Sequence, residues 1–185
     1  MKRLKKSLLV LLCSIFFLTL SYAEESAARV DALFAEWDKR DSPGCSLAVV
    51  RDGKIIYKSG YGMANLELGI PITPQSVFYI GSVSKQFTAF CIALLAREGK
   101  LALDDDIRQH IPEMPDYGNP VTIRHLLHHT SGIRDYLELE NIAGIDAGSY
   151  HEQDVLELLA RQKSLNFAPG EEYLYSNGGY FLLGI

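Results

Sequence analysis

The chain has 185 residues, of which 48% are hydrophobic and 22% charged, enough apolar material for one domain with a real core. A formal charge of −5 without a basic stripe argues against nucleic-acid binding. Low-complexity tracts, long charge runs and repeats of solenoid length are absent from the sequence, which disfavours disordered and repeat architectures.

Residues 1–23 read as a secretory signal. Lys2, Arg3, Lys5 and Lys6 make a basic start, Leu8 to Leu20 is almost unbroken apolar, and Ser21-Tyr22-Ala23 offers small residues for cleavage ahead of Glu24 and Glu25. The apolar run of about 13 residues is short of the roughly 20 that span a bilayer, so no stable membrane anchor is expected after cleavage. Cys13 is discounted as a lipidation site, because bulky Leu12 precedes it and the apolar run continues past it. The mature chain, 24–185, is expected to be soluble and exported, periplasmic or secreted. Losing the four basic residues makes it four charges more acidic than the whole. Cys45 and Cys91 remain in it, and both read as buried thiols in apolar runs rather than as a bridge.

Val30, Leu33, Phe34 and Trp37 fall at i, i+3, i+4 and i+7, one face of an amphipathic helix ending near Asp41 to Gly44. Cys45 to Arg51 and Lys54 to Ser59 flank Asp52-Gly53, which predicts a hairpin, since that dipeptide readily takes the positive φ of a tight turn. Gly60, Gly62, Pro71 and Pro74 make the next stretch loop-rich. From Ser82 to Glu98 the pattern is helical, with Phe87, Phe90, Ile92, Leu94 and Leu95 spread around it. That predicts a helix buried in the domain centre and stopped by Gly99. Thr122 is placed to cap a short helix carrying Ile123, Leu126 and Leu127. Another helix runs from Gln153 to Arg161 with Val155, Leu158 and Leu159 inward. Pro169-Gly170 breaks the chain before Tyr175, and Gly179 to Ile185 reads as the opening of a helix. A globular chain rarely stops there, so a truncated sequence is expected.

Two constellations carry chemistry. In Ser82-Val83-Ser84-Lys85, at a helix start, Ser82 and Lys85 share a face. A serine hydroxyl becomes a good nucleophile when a neighbouring base takes its proton, and a lysine serves as that base where its surroundings favour the neutral amine. The backbone N–H groups at a helix start favour negative charge beside the serine. Alone, the motif also describes a capping serine with a solvated lysine. In Tyr175-Ser176-Asn177, Tyr175 is suited to relay a proton and Asn177 to bind a substrate amide while holding Lys85. Alone, that segment reads as an Asn-Gly turn beside an aromatic.

Together, in this order and 93 positions apart, the two motifs carry more weight. The sequence here resembles the class C β-lactamases, the serine D-Ala-D-Ala carboxypeptidases and the related family VIII esterases. Further landmarks support the likeness: Ser42-Pro43-Gly44, Asp52-Gly53-Lys54, Gly60-Tyr61-Gly62, Phe78-Tyr79-Ile80-Gly81-Ser82 and Lys85-Gln86-Phe87-Thr88-Ala89. So do Gly99-Lys100-Leu101, Leu103-Asp104-Asp105, Ile111-Pro112-Glu113, Leu126 to Gly132 and Phe167-Ala168-Pro169-Gly170. The resemblance covers residues 28–185.

It implies an α/β (α+β) fold of the β-lactamase/transpeptidase type: an antiparallel sheet flanked by helices, with a helical subdomain beside it. This chain would supply the first helix, the opening hairpin and most of the helical part, with the C-terminal strands missing. An exposed sheet edge and apolar surface would then favour aggregation. The resemblance also implies a covalent acyl-enzyme. Ser82 attacks a carbonyl carbon, Lys85 and Tyr175 share the acid and base work, Asn177 contacts substrate, and the Ser82 N–H is one oxyanion donor. Substrates would be a β-lactam, a D-amino-acid peptide or an ester, with no cofactor. A third family motif, a Lys- or His-containing triplet ending in Gly, does not occur after Tyr175. Two alternatives therefore accompany the hydrolase: a non-catalytic module binding cell-wall peptides, and an inactive fragment.

Other candidates are weaker. His125, His128 and His129 lack a second ligand set, and the zinc-protease string starting at His151-Glu152 fails at Val155, so no metal is expected. Asp104, Asp105 and Asp106 read as turn residues capping the segment from Ile107. The glycines of a lipase-type elbow are replaced around Ser82 by Ile80 and Ser84. Tyr173 and Tyr180 read as packing residues.

Overall fold

The computed structural model describes residues 25–144 and 151–185; the segment read as a secretory signal lies outside the described residues. The chain divides into two compact units, one up to Tyr79 and the other from Ile80.

In the first unit, residues 25–34 form helix α1. Strands β1 (Cys45–Arg51) and β2 (Lys54–Tyr61) pair antiparallel, with Cys45 opposite Tyr61 and Arg51 opposite Lys54. Asp52 and Gly53 make the turn at φ 50° and 72°, the two positive angles that let a two-residue loop follow the strand twist. A second small sheet pairs β3 (Met63–Asn65) with β4 (Ile70–Pro71).

Helix α1 departs from expectation. It ends at residue 34 rather than near Asp41, where Trp37 N–H turns back to the Phe34 carbonyl at 3.0 Å. Leu33 is 71% exposed and Trp37 is also exposed. The contact face is polar as well as apolar: Phe34 stacks on Tyr61 at 4.9 Å, while one turn earlier Asp31 accepts hydrogen bonds from the Tyr57 and Tyr61 hydroxyls. The tyrosine bonds, Tyr57 first, hold the Asp31 carboxyl below its ordinary range, and burial pushes the Tyr61 phenol up.

The second unit is helical. A 3-10 turn, Gly81–Ser84, leads into α2 (Lys85–Arg97). Another 3-10 turn (Ile107–Gln109) and helices α3 (Ile123–Leu127), α4 (Tyr136–Ala143), α5 (Glu152–Ala160) and α6 (Asn177–Leu182) follow. Its core gathers Ile92, Ile107, Ile123, Leu126, Ile133, Val155, Leu156, Leu159 and Leu182. Thr122 caps α3, its hydroxyl accepting from His125 N–H while His125 Nδ1 accepts from Thr122 N–H. In α5 the buried residues are Val155, Leu156 and Leu159, whereas Leu158 is half-buried.

Two further expectations are corrected. Helix α2 is not enclosed: it lends Ile92 and Leu95 to the core, while Phe87 and Phe90 are 60% and 63% exposed. The core lies on one side of α2, so its all-round apolarity does not translate into all-round burial. The thiols are both free, and neither is buried, with Cys45 half-exposed and Cys91 exposed. Among the described residues, no helix is long and apolar enough to cross a membrane.

Candidate active site

Ser82 lies in the 3-10 turn and Lys85 is the first residue of α2. Side chains three apart eclipse one another along a 3-10 turn, so the two point the same way. Lys85 Nζ donates to Ser82 Oγ at 3.3 Å. The expected helix from Ser82 is thus a tighter turn followed by a helix, and Ser82 is left exposed at the junction.

Tyr175 and Asn177 meet this pair from the far end of the unit. The Tyr175 hydroxyl is 2.6 Å from Ser82 Oγ, and Asn177 Oδ1 accepts from Lys85 Nζ at 2.8 Å. Lys85 Nζ also sits over the Tyr175 ring, 4.9 Å from its centroid, where a cation is attracted by the face of the ring. The Lys85 ammonium first and the Ser82 hydroxyl second hold the Tyr175 phenol below the usual tyrosine range. All four sequence-predicted residues are therefore in one hydrogen-bonded cluster.

The segment carrying Tyr175 and Asn177 is a helix entry, not a free turn. Ser176 is the N-cap of α6, its hydroxyl accepting from Gly179 N–H at 3.2 Å, so the helix opens two residues before Gly179. Gly178 is required by contact: a Cβ there would lie 2.4 Å from the Arg134 carbonyl oxygen. That close approach brings α6 against the segment before α4.

Three residues not predicted as functional hold the cluster. One is Asp135, the buried N-cap of α4. Its Oδ2 accepts from both the backbone N–H and the side-chain amide of Asn177. A capping signal was present, since Asp135 precedes Glu138 by three residues at a helix start. The second, His129, accepts from Ser176 N–H through Nδ1 at 3.1 Å and lies against the Tyr175 ring at 4.5 Å. Burial first, and then the Lys85 charge, hold its imidazole below the ordinary histidine range. The third, Tyr180, does pack, at 5.1 Å from the His129 ring, but its ring also lies 5.6 Å from Lys85 Nζ.

The remaining candidates have structural partners. His125 is in the α3 cap, Asp106 accepts from Arg108 N–H, Asp105 from Ala102 N–H, and Asp104 pairs with Arg124 at 2.7 Å. Among the described residues no group of His, Cys, Asp and Glu is arranged to hold a metal ion.

A hydroxyl, an amine and a phenol in mutual contact within the helical second unit form the side-chain set of a serine-hydrolase type of site. The Beta-lactamase family model matches residues 30–185, and the chain belongs to that family. It is 37% identical over 150 residues to penicillin-binding protein 4* of Bacillus subtilis, covering 80% of this chain and 32% of that protein. It is 33% identical over 165 residues to the D-aminopeptidase of Gluconobacter oxydans, covering 88% of this chain and 30% of that protein. The octameric penicillin-binding protein homologue from Pyrococcus abyssi superimposes with a TM-score of 0.67 at 32% identity, covering 89% of this chain and 37% of that one. The fold is thus β-lactamase/transpeptidase-like, and the chain spans about a third of the length of these curated relatives (30% and 32%).

Proposed function

We propose that Ser82 is the nucleophile of a serine hydrolase that forms a covalent acyl-enzyme on an amide, β-lactam or ester carbonyl. The observation that carries this reading is the position of Ser82 Oγ, 2.6 Å from the Tyr175 hydroxyl and 3.3 Å from Lys85 Nζ. The Tyr175 contact is within reach of direct proton transfer, and Lys85 stands at the edge of it.

In this reading Tyr175, as the phenolate that Lys85 favours, takes the Ser82 proton as Oγ bonds to the carbonyl carbon. The electron pair of the carbonyl moves to its oxygen, and the Ser82 backbone N–H supplies one donor to it. When the tetrahedral centre collapses, Tyr175 returns the proton to the departing nitrogen or oxygen and the acyl group stays on Ser82. Water then enters by the same proton path and frees the acid. Asn177 uses Oδ1 for Lys85 and one amide hydrogen for Asp135; its second amide hydrogen is the group assigned to the substrate.

Two relatives, a D-aminopeptidase and a penicillin-binding protein, favour D-amino-acid amides and β-lactams as first substrates. The basic and apolar residues 2–20 support export to the periplasm or medium, with a small molecule or short peptide as the partner.

The test is covalent labelling with a fluorescent penicillin and a fluorophosphonate, followed by peptide mapping. An adduct on Ser82 that disappears in Ser82→Ala supports the proposal. Ligand binding without any adduct, unchanged in Ser82→Ala, would instead identify a non-catalytic binding module.

A further inference from the structure

We propose that His129 is a positioning residue of this site: a neutral imidazole, accepting at Nδ1, that sets the placement of Tyr175 against Ser82. The inference deepens the hydrolase reading and rests on it for its kinetic consequence alone.

His129 is one of two non-glycine residues with positive φ among the described residues, at 57°. Histidine tolerates this region better than most side chains, but the backbone still needs support there. The support comes from the segment bearing Tyr175. The His129 carbonyl accepts from Leu174 N–H at 3.0 Å, and its Nδ1 accepts from Ser176 N–H at 3.1 Å. These two bonds bracket Tyr175 on either side in sequence. Its ring then lies between Tyr175 at 4.5 Å and Tyr180 at 5.1 Å, with Tyr173 edge-on at 6.0 Å. A single residue therefore fixes the backbone on both sides of Tyr175, through its carbonyl before and its imidazole after, and the imidazole also sets the tilt of the Tyr175 ring.

The arrangement requires the neutral form. A protonated imidazole has no acceptor at Nδ1, so the Ser176 bond would be lost. The charged and titratable groups around the ring are Lys85 on α2, Asp135 at the start of α4 and the neighbouring His128. The phenols of Tyr173, Tyr175 and Tyr180 face it from the segment entering α6 and from α6 itself. Burial and Lys85 oppose its protonation more than Asp135 favours it, which keeps the acceptor in place at neutral pH.

Two measurements on the full chain test this. The first is 15N NMR of the histidines, assigned by loss of a signal in His129→Asn. The expected result is the Nε2–H tautomer with titration below the ordinary value of about 6.5. A proton on Nδ1 at neutral pH would overturn the proposal. The second is the rate of fluorophosphonate labelling. His129→Phe keeps a ring but no acceptor, and should slow labelling at least ~10-fold. His129→Asn offers a side-chain oxygen near the Nδ1 position and suits the backbone angle. It should recover most of that rate while losing the further, steeper fall below about pH 6.5 that His129 protonation adds beneath the Tyr175 limb. Wild-type rate in His129→Phe, or the same steep fall below about pH 6.5 in His129→Asn, would count against the role. If His129→Phe fails to fold, the tautomer and the His129→Asn profile still decide. Absence of labelling in the wild type would refute the Ser82 reading and leave the tautomer measurement to judge His129.

Discussion

One carboxylate oxygen of Asp135 accepts two hydrogen bonds from Asn177, at 2.6 Å from its backbone N–H and 2.7 Å from its side-chain amide. The pairing fixes which way the Asn177 amide faces. With the NH2 end held by Asp135, the oxygen end is turned to Lys85. The other Asp135 oxygen accepts from Leu137 N–H at 2.9 Å, so one residue starts α4 and orients Asn177.

Asp135→Ala should therefore cost stability and reactivity together. Loss of a buried cap and its charged hydrogen bonds is worth about 1–3 kcal/mol. Thermal unfolding reads the first effect and Ser82 labelling the second. An Asp135→Ala protein that labels at the wild-type rate would show that the Asn177 amide orients itself without help.

The pH dependence of labelling should carry a limb set by Tyr175. Lys85 and Ser82 lower its phenol from the ordinary value of about 10. The deprotonated phenol is the proton acceptor, so the rate should rise with pH through a midpoint below 10 and fall as acid restores the proton. Tyr175→Phe should abolish that limb and slow labelling by ~100-fold or more. A midpoint at or above 10 contradicts the assignment.

Gly178→Ala is expected to disturb the site by backbone displacement. The added carbon would meet the Arg134 carbonyl oxygen at 2.4 Å, and Arg134 immediately precedes Asp135. Overpacking of this kind costs about 1–3 kcal/mol, measurable by denaturant unfolding. Gly184→Ala, where the nearest atom is 3.2 Å away, is the milder comparison.

Acid should weaken the second unit through Asp106. Its carboxyl is held low, chiefly by hydrogen bonds from Arg108, and it caps the turn at Ile107. Because the folded pKa lies below the unfolded one, the contribution is present above the unfolded value of about 3.9 and is lost as pH falls through the folded one. Asp106→Asn should flatten the decline in melting temperature between about pH 4 and pH 2. An identical decline in both proteins would place the acid sensitivity elsewhere.

Local chemistry made much of this legible. Asp52-Gly53 specifies its own turn, Thr122 its own helix start, and Ser82 and Lys85 their shared face, because each relation spans only a few residues. The misses share a cause. The face of α1 depends on Tyr57 and Tyr61, which lie 26 and 30 positions from Asp31. His129 and Asp135 act on residues 47 and 42 positions away. No periodicity encodes such pairings. Asn177-Gly178-Gly179 has poor helix propensity and reads as a turn, yet becomes α6 through the Ser176 cap and close packing on Arg134 and Leu126.

The contact between Ser82 and Tyr175 also has a temporal meaning. It joins groups 93 positions apart, and the intervening α3, α4 and α5 contribute to the core on which both ends rest. Contacts of such span form late, after the loop between them has been ordered at an entropic cost. Reactivity at Ser82 is then a clock for folding: in a refolding experiment, labelling should begin only after helical signal has reached its final value.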